Sequence, residues 1–349
     1  MFNERINRLT KNLSDNEGFL ITEQKNCFYL SGIRSSNITL YITKFSRYLI
    51  TDFRYAEAAS ENKAGFTVKS EEGTLKCLKK IINEEKIYTE LDIIPYEFYN
   101  ELKKNIKSEI LPIGKIISNL RAVKNEYEIE CIRKSQEIAD KAFSETLKYI
   151  TEGVTEKDIK AELEYHMSKG GSEMPSFDTI VLFGEHTSLP HGTPTERKLK
   201  NRDIILIDFG ATYEAYASDN TRTFFFGEPS DKQKKAYTTV LNAHIAARNL
   251  IVPGMLGKDA DKIARDFLDD SGYENLFGHS LGHGVGLDIH ENVRLSPKSD
   301  DILEENMIFS IEPGVYLKKE FGIRVEDIYV LKSDGVHSLT TLSKDLLIL

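Results

Sequence analysis

"IDFGATYEAYASDNTRTF", Ile207–Phe224, places two aspartates eleven positions apart at the inner ends of two apolar runs. The run Ile204–Ile207 reads as a buried strand, and "TRTFFF" after Asn220 reads as its partner. A hairpin centred on Tyr213 and Glu214 sets Asp208 opposite Asp219. Directly opposed residues on one face of an antiparallel pair have Cβ atoms about 5 Å apart. Like charges at that distance destabilise a hairpin unless something positive lies between them. The turn adds little, because Tyr-Glu lacks the Asn-Gly character of tight hairpins.

A second acidic pair repeats the arrangement. Glu312 lies in "FSIEPGVYL" and Glu326 in "GIRVEDIYVL", joined by the charged "KKEF". A hairpin centred on Lys319 sets Glu312 across from Glu326. Each stands in an apolar run, where a lone carboxylate costs several kcal/mol. Between the two hairpins runs "GHSLGHGVGLDIHE", Gly278–Glu291, with His279, His283 and His290. His283 and His290 are seven apart, so one continuous strand would point them to opposite faces. The glycines at 284 and 286 permit a bend that returns both to one pocket, although they also suit tight turns alone. Asp208, Asp219, Glu312, Glu326 and His283 form a hard, oxygen-rich set whose charge offsets two divalent ions. Such ligands favour manganese, cobalt, zinc or iron in a pair about 3.5–4 Å apart.

Length, charge and composition bound the rest of the reading. Its 349 residues suggest two domains. A net charge of −9 argues against a nucleic-acid or acidic-membrane partner. Lys232, Lys234 and Lys235 read as a solvated helix face. The N-terminus, "MFNERINRLTKNL", is amphipathic and charged, without the features of a signal peptide, and no run is apolar and long enough for a membrane helix. Cys27, Cys77 and Cys131 fit buried thiols in a reducing cytoplasm, which predicts a cytoplasmic protein.

Alternating strand and helix signals make the chain α/β, or α+β, with expected domains 1–120 and 121–349. In the first, "GFLIT" is an apolar run and "NITLYIT" and "RYLIT" form a hairpin. "DFRYAEAASENKAG", "TLKCLKKIINEEK" and "YEFYNELKKNI" read as helices. The second opens with a long helix after Asn125, followed by "TEKDIKAELEYHMSKGG". Strands come next, then helices over "SDKQKKAYTTVLNAHIAARNLI" and "LGKDADKIARDFLDDSG". His186 reads as a loop histidine. His166, His244 and His337 have no companions and read as surface or satisfied core residues.

"IDFGA…SDNTRT", "GHGVGLDIHE", "SIEPG" and "GIRVED", in this order, resemble the signatures of metal-dependent Xaa-Pro peptidases, the prolidase and aminopeptidase P family. "NCFYLSGI" and "YLITDFRYAEAA" are similar to the creatinase-type N-terminal domain, and "LRAVKNEYEIECIRKSQEIADKA" to the family's linker helix. The resemblance covers the whole chain. It implies a creatinase-like domain followed by a pita-bread catalytic domain, hydrolysing the bond before proline in dipeptides or short peptides. It further implies two metal ions, manganese first. Asp208 would bind one ion, Asp219 and Glu326 would bridge, and His283 and Glu312 would bind the other. Glu312 would shuttle a proton. His290, His191 and His279 would line the substrate side, and Arg324 would order the carboxylates. Arg294, in "ENVRLSP", is a candidate for the substrate's free carboxylate, or else a surface arginine. A homodimer is expected, one subunit's N-terminal domain approaching the other's active site. Asn220 departs from the apolar residue common in "SDxTRT". The alternatives within this fold are a metal-free binding or creatinase-like protein and a methionine aminopeptidase.

Overall fold

The run Gly18–Ile21 is buried throughout and lies near the middle of the first sheet of the computed structural model, which describes residues 1–62, 64–70 and 73–349. Two compact units result, Met1–Arg121 and Ala122–Leu349.

The first unit runs α1 (Phe2–Thr10), β1 (Glu17–Ile21), α2 (Gln24–Ser31), β2 (Thr39–Thr43), β3 (Arg47–Ile50), α3 (Ala56–Ser60), β4 (Thr67–Lys69), α4 (Thr74–Ile81), β5 (Lys86–Thr89), α5 (Tyr96–Asn105) and β6 (Glu109–Pro112). The helix α6 (Ile116–Ala122) follows. Its strands form a six-stranded mixed sheet in the order β4-β3-β2-β1-β5-β6. The expected hairpin is β2–β3, with Tyr41 opposite Tyr48. Leu20, Tyr41, Ile50, Leu78, Ile87 and Leu102 are among the residues that build the core. The helix expected over 52–65 is only the single turn-and-a-half of α3, and Lys63 lies outside the described residues. The Asn62 amide and carbonyl bind the backbone around Phe66 and turn the chain toward β4 instead. The α2 helix was not legible in the pattern. Its buried residues, Asn26, Cys27, Tyr29, Leu30 and Ser31, include polar ones that blur the helical stripe.

In the second unit α7 (Glu126–Thr146) starts at Asn125 with a reciprocal capping box to Glu128. Then come α8 (Glu156–Lys169), β7 (Ile180–Phe183), β8 (Asp203–Phe209), β9 (Thr212–Tyr213), β10 (Tyr216–Ala217) and β11 (Asn220–Phe226). The long helices α9 (Asp231–Leu250) and α10 (Gly257–Leu268) precede β12 (Gly282–Gly284) and β13 (Glu291–Leu295). The last strands are β14 (Ile308–Ile311), β15 (Gly314–Leu317), β16 (Phe321–Arg324), β17 (Asp327–Lys332) and β18 (Gly335–Ser338). Two principal sheets form, β11-β8-β7 and β13-β12-β14-β17-β18. A bridge between Thr221 and Glu326 connects them. The helices α7 and α8 pack on the first, where the rings of Phe143 and Phe209 stack at 5.2 Å. The helices α9 and α10 pack on the second through residues such as Val240, Ala243, Ala260, Ala264 and Leu268. The acidic residues therefore stand where the two sheets meet.

One register differs from expectation. Asp208 pairs with Thr221, and Tyr213 with Tyr216, so the turn is Glu214-Ala215 rather than Tyr213-Glu214. Both turn residues have positive φ, 50° and 67°. This is the backbone of a tight hairpin turn, adopted without its usual Asn-Gly sequence, and it hid the turn's position. Asp219 consequently lies diagonal to Asp208, beyond the paired Asn220 and Phe209. The second hairpin has the expected register. Ile311 pairs with Asp327 on one side and Gly314 with Arg324 on the other, with Lys319 at φ 63° in the turn. Glu312 and Glu326 fall opposite one another between those pairs.

Candidate metal centre

Each acidic side chain is delivered by a strand end. Asp208 lies near the end of β8, Asp219 just before β11, Glu312 just after β14 and Glu326 just before β17. His283 is the central residue of β12, paired with Arg294 on β13. Gly282 allows this strand to approach β14. A Cβ there would lie 1.9 Å from the Ser310 carbonyl oxygen. The glycines of this stretch thus serve close approach as well as turning.

Asp219, His283 and Glu326 are buried, and one ligand atom from each lies within 4.8 Å of the other two. His283 Nε2 is 3.5 Å from Asp219 Oδ2 and 3.4 Å from Glu312 Oε1. Its Nδ1 faces the Gly284 carbonyl at 3.2 Å. A carbonyl only accepts, so in the neutral ring Nδ1 carries the hydrogen and Nε2 presents a lone pair to the carboxylates. Burial, with His290 beside it, pushes His283 down to about 3, so it is neutral at physiological pH.

The carboxylates repel one another. Burial, then the charges of Asp208 and Glu312, holds Asp219 well above the usual range. Glu326 is raised by burial and by Asp219, Glu312 and Asp208. Glu312 is pushed up to about 8 by burial and by Asp208, against the lowering effect of Arg324. Asp208 Oδ1 is buried and has no hydrogen-bond partner among the described residues. An orphaned carboxylate oxygen, converging acids and an imidazole lone pair together fit a divalent cation.

Arg324 orders this shell. Its guanidinium donates to Asp208 Oδ2 at 2.5 Å, to Thr221 Oγ1 at 3.0 Å and to the Tyr316 hydroxyl at 2.6 Å. The Thr221 hydroxyl in turn donates to Glu326 Oε2 at 2.6 Å. The Tyr316 hydroxyl lies 3.0 Å from His279 Nε2, while His279 Nδ1 faces the Ser280 carbonyl at 2.9 Å. Burial and Arg324 push His279 down to about 3. Ser310 Oγ donates to Glu312 Oε1 at 3.2 Å and accepts the His283 amide. Thr221, Tyr316 and Ser310 escaped the sequence reading. Only the strand registers bring them beside the acids, since hydroxyl residues in strands are common.

The cluster floors a cleft of about 610 Å³, which His191, His279, His290, Arg294 and Arg324 also line. The His283 and His290 rings lie 4.2 Å apart. Burial and Arg294 lower His290. Phe177 and Ile180 also line the cleft, and Ile180 pairs with Asp208. His186 points elsewhere. Its Nδ1 is 3.0 Å from Glu156, a buried acid that also holds the Phe183 and Thr195 amides. His244 is a core residue, with Nε2 2.7 Å from the Tyr329 hydroxyl. His337 is exposed beside Asp334, and His166 sits 3.8 Å from Glu162.

Both units of the chain are similar to known proteins. Residues 130–333 match the model for metallopeptidase family M24, and residues 5–123 match the creatinase/prolidase N-terminal domain. An Xaa-Pro dipeptidase of Pyrococcus horikoshii is 35% identical, over 99% of each chain. The solved Xaa-Pro dipeptidase from Bacillus anthracis superposes with a TM-score of 0.97 at 36% identity, covering 100% of both chains. The X-Pro aminopeptidase from Thermotoga maritima gives 0.92 at 38% identity, over 99% of this chain and 100% of that one. The architecture is that of a creatinase-like domain followed by a pita-bread domain, its converging acids and histidine suit a divalent metal, and the chain belongs to metallopeptidase family M24.

Proposed function

We propose that the protein is a dinuclear-metal exopeptidase that hydrolyses Xaa-Pro bonds at the N-terminus of dipeptides or short peptides. The observation that carries this reading is the convergence of Asp219, His283 and Glu326 within 4.8 Å, flanked by Glu312 and by the orphaned oxygen of Asp208. Full-length similarity to an Xaa-Pro dipeptidase and to an X-Pro aminopeptidase supports the substrate class. Met1–Arg121 is taken as the N-terminal domain and Ala122–Leu349 as the catalytic domain, which holds every site residue.

Asp208, Asp219, Glu312, Glu326 and His283 would hold the ions, with manganese first and cobalt, zinc or iron as alternatives. When bound, the ions supply Lewis-acid polarisation of a carbonyl and acidification of water. The chain's own residues do the rest. Glu312, with one oxygen held by Ser310 and the other 3.8 Å from His279 Nδ1, takes a proton and returns it to the leaving nitrogen. His290 and His191, both at the cleft surface, stabilise the developing oxyanion. His279 is fixed by Tyr316 and Arg324 as a neutral ring on the substrate side. Arg294 lines the same cleft from the neighbouring strand to His283, placed to receive a free carboxylate.

The reading includes a homodimer and a cytoplasmic protein. The first rests on the family resemblance, the second on three buried thiols and on the lack, among the described residues, of any helix long and apolar enough to cross a membrane. Light scattering at micromolar concentration tests the dimer. Hydrolysis of Ala-Pro, Ala-Pro-Ala and a longer Xaa-Pro peptide by manganese-loaded protein tests the activity. If none is cleaved while Met-Ala-Ser is, the proline reading fails.

A further inference from the structure

Lys124 and Glu291 form an ion pair inside the catalytic unit, Nζ to Oε2 3.2 Å, with side chains only 1% and 5% exposed. Neither has a place in the chemistry above. A buried pair of this kind contributes little net stability, because desolvating both charges offsets their attraction. Its geometry suggests a different use.

Glu291 follows His290 directly and opens β13. Its other oxygen, Oε1, accepts the amides of Leu287 at 2.9 Å and Asp288 at 3.2 Å. One carboxylate thus closes the turn that carries His290. The turn fits tightly around it, since a Cβ on Gly286 would lie 2.4 Å from Glu291 Oε2. The same turn is tied to the first acidic hairpin by the Ala217 amide, which donates to the Gly286 carbonyl at 2.8 Å. On the other side Lys124 is itself fixed. Its amide donates to the Asn306 carbonyl at 3.0 Å, next to the bridge between Val123 and Met307, and Asn125 caps α7. The lysine is therefore a rigid post, and the carboxylate reaches from that post to the turn. The β12–β13 register shifts here, between His283 and Gly284, and the His290 ring lies against that of His283.

We propose that Glu291, anchored by Lys124, is a positioning residue for His290. It holds the Gly286–His290 turn by its two amide bonds, so that the imidazole stays against the metal-ligand histidine. The kinetic part of this inference rests on the role assigned to His290 above; the clamp itself does not. Displacement of a reacting group by about 1 Å costs on the order of 10²-fold in rate, which is the scale at issue when a carboxylate is shortened by one methylene.

The test compares variants of the full chain loaded with manganese. Glu291→Asp keeps the charge beside Lys124 but withdraws the acceptor from the two amides. It is expected to keep its metal content, to lose about tenfold in hydrogen-exchange protection at Leu287 and Asp288, and to lose about 10- to 100-fold in kcat with KM little changed. A neutral pair keeps the test valid if that variant does not fold. Lys124→Met with Glu291→Gln loses the anchor but retains an acceptor for the two amides, so its kcat should fall less than that of Lys124→Met with Glu291→Leu, equally neutral but without an acceptor. The inference is overturned if Glu291→Asp keeps the protection of both amides, or if the Leu-containing double variant turns over at the parent rate. If the parent cleaves no Xaa-Pro peptide, the proposed activity fails, and the exchange measurement still decides the clamp.

Discussion

His283 and His290, seven residues apart in the chain, meet with ring centroids 4.2 Å apart and planes at 78°. One ring has its Nε2 lone pair aimed at Asp219 and Glu312; the other borders the cleft at its exposed edge. This division of labour makes the two separable by mutation. His290→Ala should retain metal yet lower turnover by roughly the 10²–10⁴ of a positioned proton-transfer or oxyanion group. Metal analysis beside steady-state kinetics checks it, and unchanged turnover would assign His290 to packing.

Asp219 is held well above the usual carboxylate range by burial and by the charges of Asp208 and Glu312, all acting against its ionised form. Asp219→Asn removes one buried ionisable carboxyl from the cluster. The metal-free variant should therefore be at least as stable as the parent, while added manganese should no longer raise its Tm. In the parent, an ion at about 100 times its Kd stabilises the fold by about 2.7 kcal/mol. Metal analysis should give about two ions per parent chain. A variant that keeps both metal and activity would remove Asp219 from the ligand set.

Arg294 decides substrate length in the proposed reading. It pairs in register with His283, and its side chain reaches the cleft. If it receives the carboxylate of a dipeptide, Arg294→Ala should erase a preference for Ala-Pro over Ala-Pro-Ala by about 1–3 kcal/mol in kcat/KM. Equal cleavage of both peptides by the parent would make the enzyme an aminopeptidase and Arg294 a loop residue.

His244 gives the catalytic unit an acid-sensitive core. Burial lowers it to about 4 from its usual 6.5, although Asp327 acts in the other direction, with Lys344 and Arg222 opposing. Between those two values the unfolded chain binds a proton that the folded chain refuses. Stability from this group is therefore complete above about pH 6.5 and falls as the pH drops toward 4, by about 2 kcal/mol between pH 7 and pH 5. Urea midpoints of metal-free protein at the two pH values test this. The His244→Gln variant, which has nothing to titrate there, should show a smaller difference.

Much of the site was legible because its chemistry is costly. Carboxylates within apolar strands need compensation, so Asp208, Asp219, Glu312 and Glu326 stand out without any structure. The second hairpin could be placed by symmetry about Lys319, since both arms are strongly apolar. The first was misplaced by one position, because Glu214 and Ala215 adopt positive φ against their ordinary preference. Tertiary context holds that turn, and single-residue chemistry gives no sign of it. The α2 helix was missed for a related reason, since buried Asn26 and Ser31 find partners that no periodicity reveals.

What the sequence alone determined is the inventory: two acidic hairpins, a glycine-histidine ribbon between them, a capped linker helix, and a net charge of −9. The hairpins and the capped helix depend on strand period, burial cost and local capping, which act over a few residues. What only the tertiary structure decided is which groups touch. The link from Arg324 through Thr221 to Glu326 joins residues more than a hundred positions apart. The contact of His279 with Tyr316 and the clamp of Lys124 on Glu291 depend on strand register in the same way. Hydroxyls, a lysine and a glutamate are commonplace in any strand or loop. They acquire these partners only when the two sheets meet at Thr221 and Glu326 and close packing brings the polar atoms within hydrogen-bond reach.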